Sequence, residues 1–331
     1  MEDFSDRTCL VTGASGFLGS YVVEQLVERG ARVRCLVRRS SSRRFLPSSA
    51  VDFVFGDVTD PSSLDEALAG AEYVFHVAGL IKTPRPEDYY RVNYLGAINL
   101  LEACRSHRER LRRVIVVSSQ AAAGPSAPGR PVDESRPCSP VTPYGKSKLL
   151  AETAARAYFD RLPITIVRPP TIYGPRDRES LLLFQVVARG IRPSLVGGSE
   201  ISLIHAADLA EGIILAAAHP AARSRTYFLA SDETPSMDQL TAEVAAALGR
   251  SAGRITVPDW SVRGAARFAE AIRVFGGSSM IFDRWKAEEL LSRYWACSNQ
   301  LARAELGFSP RVSLHEGIVE TARWYRKMAW L

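Results

Sequence analysis

The sequence predicts a doubly wound α/β fold, a parallel sheet covered by helices on both faces, followed by a smaller, mostly helical lobe. Two observations carry this. Up to about residue 170, short β-branched runs alternate with helix-like segments, and the runs are continuously apolar, as strands buried on both faces are. The first run also leads straight into three glycines spaced three apart, Gly13, Gly16 and Gly19, where a helix opens. Strands are expected at 8–11, 33–37, 51–55, 73–77, 114–118 and 164–168, with helices near 17–29, 61–69, 87–107 and 144–160. After Pro169 the rhythm changes to a helix near 179–190, a strand at 201–204, a helix at 206–218 and a strand at 226–230. The last hundred residues read as mostly helical, and four of the five tryptophans lie beyond residue 280. We divide the chain into a dinucleotide-binding unit, 1–175, with returns to the sheet near 200–232, and a substrate-binding lobe, 176–331.

Composition narrows the class. With 331 residues, 46% hydrophobic and 24% charged, the chain can bury a large core. It has no basic, apolar leader and no run of about 18 apolar residues, so neither a signal peptide nor an integral membrane segment is expected. The five cysteines are odd in number and scattered, which reads as reduced thiols in a cytoplasm, and no metal site is expected. The net charge is +6, with arginines clustered at 38–44 and 105–113. Neither cluster is interleaved with aromatic residues, so no nucleic-acid partner is expected, and the second cluster reads as a solvated helix end.

The glycine turn has a specific chemistry. The first glycine permits the tight turn, the second lets a pyrophosphate approach the backbone, and the third lets helix pack on strand. The helix N-terminus then offers N–H groups to phosphate, with Ser15, Phe17 and Leu18 in the same turn. At the end of the second strand, a ribose 2′-hydroxyl would call for a carboxylate and a 2′-phosphate for arginine. Arg38 and Arg39 stand there, followed by serines and two further arginines, so NADP is expected in preference to NAD.

In VTPYGKSKLLAE, residues 141–152, Lys148 follows Tyr144 by four, which puts phenol and ammonium on one helical face. Ser119 ends the fifth strand, at the edge where this architecture holds its ligand. Ser119, Tyr144 and Lys148 are therefore expected to converge.

These stretches resemble the extended short-chain dehydrogenases/reductases, the NAD(P)-dependent epimerase/dehydratase superfamily, built on a Rossmann sheet. The resemblance rests on TGASGFLG (12–19), GDV (56–58), HVAG (76–79), VNYLGAINLLEAC (92–104), SS (118–119), YGKSK (144–148), RPPTIYGP (168–175) and LIHAADLAEGI (203–213), in family order. It implies that Asp57 and Val58 flank the adenine and that His76, Val77, Ala78 and Gly79 line the cofactor. Asn93 would hold the framework, and the segment from Pro169 to Ile172 would lie along the nicotinamide. It implies further that Lys148 holds the ribose, Tyr144 acts as acid or base, and Ser119 supports the same substrate oxygen. A small-molecule substrate and a homodimer are expected.

Departures narrow the choice. Where related dehydratases carry an Asp-Glu pair, this chain has Gln120 and Ala121, so dehydration is not expected. Ile201 stands where many sugar-nucleotide epimerases place an arginine, although Arg176, Arg178 and Arg192 are near in sequence. VRCLVRRSSSRRFL and RPPTIYGP resemble instead the 3β-hydroxysteroid dehydrogenase and dihydroflavonol reductase branch, whose substrates are hydrophobic alcohols or carbonyls. Residues 258–285 then offer Trp260, Phe268, Ile272, Phe275, Met280 and Phe282 as an apolar lining; a core-packing helix explains them equally. The leading reading is an NADP-dependent oxidoreductase on a hydrophobic or polyfunctional alcohol or ketone. A nucleotide-sugar epimerase is the alternative, and a cofactor-sensing protein without catalysis the third.

Overall fold

The computed structural model describes residues 4–264 and 284–331. Its centre is a parallel sheet of seven strands. The first six are β1 (Thr8–Thr12), β2 (Arg32–Val37), β3 (Val51–Phe55), β4 (Tyr73–His76), β5 (Arg113–Val117) and β6 (Ile164–Arg168). Four short strands follow, β7 (Thr171–Tyr173), β8 (Ile191–Leu195), β9 (Glu200–Ile201) and β10 (Leu203–His205), before β11 (Arg225–Phe228) returns to the sheet beside β6. The sheet order is β11-β6-β5-β4-β1-β2-β3, so the winding reverses between β1 and β4. There Thr12 lies opposite His76 in register, and the crevice for a ligand opens beyond their carboxyl ends.

The continuous apolar runs have their cause in two covering layers. On one face Val22, Val23 and Leu26 of α1 (Phe17–Glu28) pack in a common core with Ile213 and Ile214, which lie in the helix Ala206–Ala218. On the other face Leu64, Leu68, Leu100 and Leu101 close over Val114, Val116 and Ile164. Every residue of β4, β5 and β6 is buried between them.

Two expectations change in form. The single strand at 201–204 is two: β9 pairs with Tyr294–Trp295 and β10 with β7, because Ser202 between them turns its N–H to the Trp295 carbonyl (2.8 Å). The helix at 87–107 runs as Pro86–Tyr89, a wide π turn over Tyr90–Leu95, and then Gly96–Ser106. In the C-terminal part, Phe184, Leu240, Val244, Ile318 and Tyr325 form a separate core. Helices predominate there among the described residues, with the strand Gly253–Val257 paired to β8. Trp260 is 76% exposed, while Phe268, Ile272, Phe275, Met280 and Phe282 lie outside the described residues. Among the described residues no helix is long and apolar enough to cross a membrane.

One correction concerns the arginines of 105–113. Arg113 is the first residue of β5 and only 6% exposed, and Leu111 is buried beside it. The strand draws the end of that cluster inward, so it is not simply a solvated helix end.

Beneath the carboxyl ends of β5 and β6 lies a buried ion pair. Glu152, on the helix Pro143–Arg156, accepts from Arg168 Nε (2.9 Å) and Nη2 (2.7 Å), and from the Ser118 hydroxyl (2.6 Å). Glu152 is 0% and Arg168 2% exposed, so removing one charge strands the other in the interior. Glu152→Gln is expected to lower unfolding stability by about 3–5 kcal/mol, read by urea denaturation. A loss within experimental error would show that the interior hydrates the orphaned guanidinium.

Candidate functional site

The glycine turn sits at the reversal point of the sheet. Gly13 has φ +69°, and a Cβ there would come within 2.6 Å of the Ala78 backbone nitrogen. At Gly19 a Cβ would fall 2.1 Å from the Gly13 carbonyl, so no larger residue fits. Ser15, Gly16, Phe17 and Leu18 carry the chain over the top of α1, and Gly16 caps the helix with no side-chain hydrogen bond. The first N–H groups of α1 are thus not claimed by a capping side chain, as an anion cradle requires. These features fit the pyrophosphate of a dinucleotide.

The opposite wall comes from β4. Thr12 Oγ1 lies 2.8 Å from His76 Nδ1 and accepts from Ala78 N at 3.3 Å, while Val77 N donates to the Thr12 carbonyl. Burial and the charge of Lys148 push His76 down to about 3, so its imidazole is neutral. Beyond β3, Asp57 Oδ1 accepts from the Thr59 N–H and hydroxyl, and the carbonyl of buried Val58 accepts from Asn99. The π turn aims Asn93 inward, where its side chain bonds both the N–H and the carbonyl of Leu80 and reaches Ser147 Oγ at 3.0 Å.

Ser119, Tyr144 and Lys148 come together at the carboxyl end of β5. Pro143 opens the helix and Thr142 caps it, accepting from Gly145 N at 3.0 Å, which fixes the turn that carries Tyr144. Burial pushes the Tyr144 phenol up to about 12, and a hydrogen bond with Ser119 pulls the other way. One turn later, Lys148 is 6% exposed and donates to the Val117 carbonyl at 2.9 Å. Burial lowers its ammonium to about 8, with the Glu152 charge opposing. A Cβ at Gly79 would stand 3.0 Å from Lys148 Nζ, so that glycine makes room for the ammonium. Pro169 is buried and takes the Gln120 N–H on its carbonyl at 2.8 Å, which holds the segment leading to half-buried Ile172 against Ser119.

Several contributors were not assigned a role from the sequence. Thr12 and Ser147 organise the loops after β4, and Tyr89 meets the Tyr144 ring edge-on at 5.8 Å. Gln120 is 3% exposed, and among the described residues its Nε2 has no hydrogen-bond partner.

The loop after β2 sorts its arginines. Arg39 lies over Phe55 at 4.9 Å, Arg43 over Phe53 at 5.1 Å and Arg44 over Phe45 at 5.4 Å. Arg38 is exposed directly after Val37, with no such ring and no carboxylate against it among the described residues. The arginines near Ile201 are engaged elsewhere. Arg176 bonds Ser20 and Glu24, Arg178 lies over Trp330, and Arg192 pairs with Asp238.

Known proteins similar to this chain include named reductases. A ceramide reductase of Caulobacter vibrioides is 34% identical over 322 residues, covering 97% of this chain and 95% of the relative. A 2-alkyl-3-oxoalkanoate reductase of Stenotrophomonas maltophilia is 31% identical, covering 93% and 96%. Among solved structures, gox2253 superposes with a TM-score of 0.83 at 28% identity, covering 98% of this chain and all of that one. The model of the NAD dependent epimerase/dehydratase family matches residues 9–230, from β1 to just past β11. The chain belongs to that family, as an oxidoreductase of the extended short-chain dehydrogenase/reductase type.

Proposed function

We propose that the protein is an NADP-dependent reductase that converts a ketone on a long-chain, hydrophobic molecule into an alcohol. In this reading residues 1–175, with the returns to the sheet, hold the cofactor, and 176–331 hold the substrate. The observation that carries it is the grouping of a serine hydroxyl, a raised phenol and a lowered ammonium at one strand end. Both curated relatives described above are reductases, one named for ceramide and one for an alkyl-substituted 3-oxo acid, and they support a lipid-like carbonyl. The engagement of Arg176 and Arg192 in ion pairs and of Arg178 over a ring speaks against a nucleotide-sugar diphosphate as substrate.

The bound cofactor supplies the hydride. The chain's own task is to place and move a proton. Tyr144 keeps its proton at neutral pH and acts as general acid toward the carbonyl oxygen, while Ser119 donates to the same oxygen as negative charge develops. The Lys148 ammonium favours the phenolate left behind and offers hydrogen bonds to the ribose. Incubation with NADPH and a panel of carbonyl-bearing ceramides, 3-oxo alkanoates and UDP-sugars tests the assignment. Net NADPH consumption with the lipid carbonyls is expected; conversion of UDP-sugars without net redox would replace it with an epimerase.

Three further outcomes follow from the same groups. Tyr144→Phe is expected to keep fold and NADPH binding and to lose at least about a hundredfold in kcat, since one proton donor is removed. Turnover within a few-fold of wild type would end its role as acid. The pH profile of kcat/KM for the cofactor reports the free protein. Because burial lowers Lys148 to about 8, its cation is lost as pH rises through that value, so kcat/KM should fall above about 8. A flat profile to pH 10 would contradict that. Finally, Arg38 offers a 2′-phosphate charge-assisted hydrogen bonds worth about 1.5–3 kcal/mol each, and a 2′-hydroxyl far less. Calorimetric titration should show NADPH bound more than about tenfold tighter than NADH, with the preference abolished by Arg38→Ala and little changed by Arg39→Ala. Equal affinities in the wild type would return the loop to a surface role.

A further inference from the structure

At the amino-terminal edge of the sheet, on the side away from the glycine turn, the structure holds a cavity of about 1040 Å³. It opens where β5, β6 and β11 begin, one strand length, roughly 16 Å, from the Ser119 end of β5. Five arginines line it: Arg108, Arg112 and Arg113 from the segment after residue 106, Arg161 just before β6, and Arg223 just before β11. Among the described residues no aspartate or glutamate lines it. Arg112 pairs with Glu72, and Arg113 donates to the His219 carbonyl at 2.9 Å. Arg108, Arg161 and Arg223 are exposed, and among the described residues no carboxylate lies within ion-pair distance of them.

Glu72 offsets part of this charge through Arg112, and an anion entering the cavity offsets more of it. Guanidinium forks match phosphate oxygens two at a time, and several forks converging from three chain segments favour a group of high charge density. His219 also lines the cavity, and its carbonyl holds the Arg113 guanidinium against the wall. The remaining wall is apolar, with Leu111, Leu215 and Leu306 prominent. Among the described residues no phenylalanine, tyrosine or tryptophan lines the cavity to stack a nucleic-acid base.

We propose that this cavity is a second binding site, specific for the phosphomonoester group of an amphiphile, with the arginines on the phosphate and the three leucines along the first carbons of the chain. The phosphomonoester can belong to a soluble alkyl phosphate or to the headgroup of a membrane lipid.

The test keeps the dinucleotide site saturated with NADP and titrates octyl phosphate, with octyl glucoside as the uncharged control. In parallel, flotation uses phosphatidylcholine vesicles with and without phosphatidic acid. The variant Arg108→Gln/Arg161→Gln/Arg223→Gln changes only exposed side chains and should keep the wild-type melting temperature and NADP affinity. One octyl phosphate per chain, weakened by at least about tenfold in the triple variant, is the expected result and identifies a soluble ligand as sufficient. Variant-sensitive flotation only with phosphatidic acid, without binding of octyl phosphate, supports the same site with a lipid headgroup as its source. The proposal is overturned by octyl glucoside binding as well as octyl phosphate, by binding that the triple variant leaves intact, or by no binding in either arm.

Discussion

The Glu152 carboxylate is the constraint on which the rest of the site depends. It takes Arg168 from the end of β6, Ser118 from just past β5 and Arg156 from its own helix. Two strand ends and one helix are thereby locked at a single point inside the protein. Glu152 stands one turn beyond Lys148 and two beyond Tyr144 on that helix, so the same lock fixes where the phenol and ammonium stand relative to Ser119. Its charge also opposes the loss of the Lys148 proton that burial would otherwise favour. A buried ion pair contributes little net stability compared with apolar packing, and its value here is positional.

Shared hydrogen bonds do comparable work at the other wall of the crevice. Thr12, the last residue of β1, accepts a hydrogen bond from the loop after β4 and touches His76, so the two strands at the reversal point share one hydroxyl. Asn93 does the same for the following loop, using both ends of its amide on Leu80. The loops that would face a cofactor are thus held by side chains from behind, which leaves their front surfaces free to change ligand without changing fold.

Much of this was legible in the sequence, because period and spacing are local properties. The six leading strands announce themselves by unbroken apolar runs, and the i, i+4 relation of Tyr144 and Lys148 needs only a helix to be true. What was illegible depends on contacts between distant segments. A π turn has no compositional signature, so the inward aim of Asn93 could be taken only from resemblance, not from spacing. The burial of Arg113 depends on where β5 begins and on the acceptors Thr165 and His219, each far along the chain. Likewise, resemblance favours Arg38 over Arg39 as the phosphate ligand, but what holds Arg39 away is Phe55, on a different strand.

The loop that follows β2 has one more attachment. Phe45 rests on Trp324 at 6.0 Å, and Trp324 in turn meets Trp330 edge-on at 4.8 Å. The segment bearing Arg38 is therefore stapled to the last helical turns of the chain, although the two lie far apart in sequence. A half-buried indole at that junction serves as a built-in optical reporter of the loop, since displacement of Phe45 alters its surroundings.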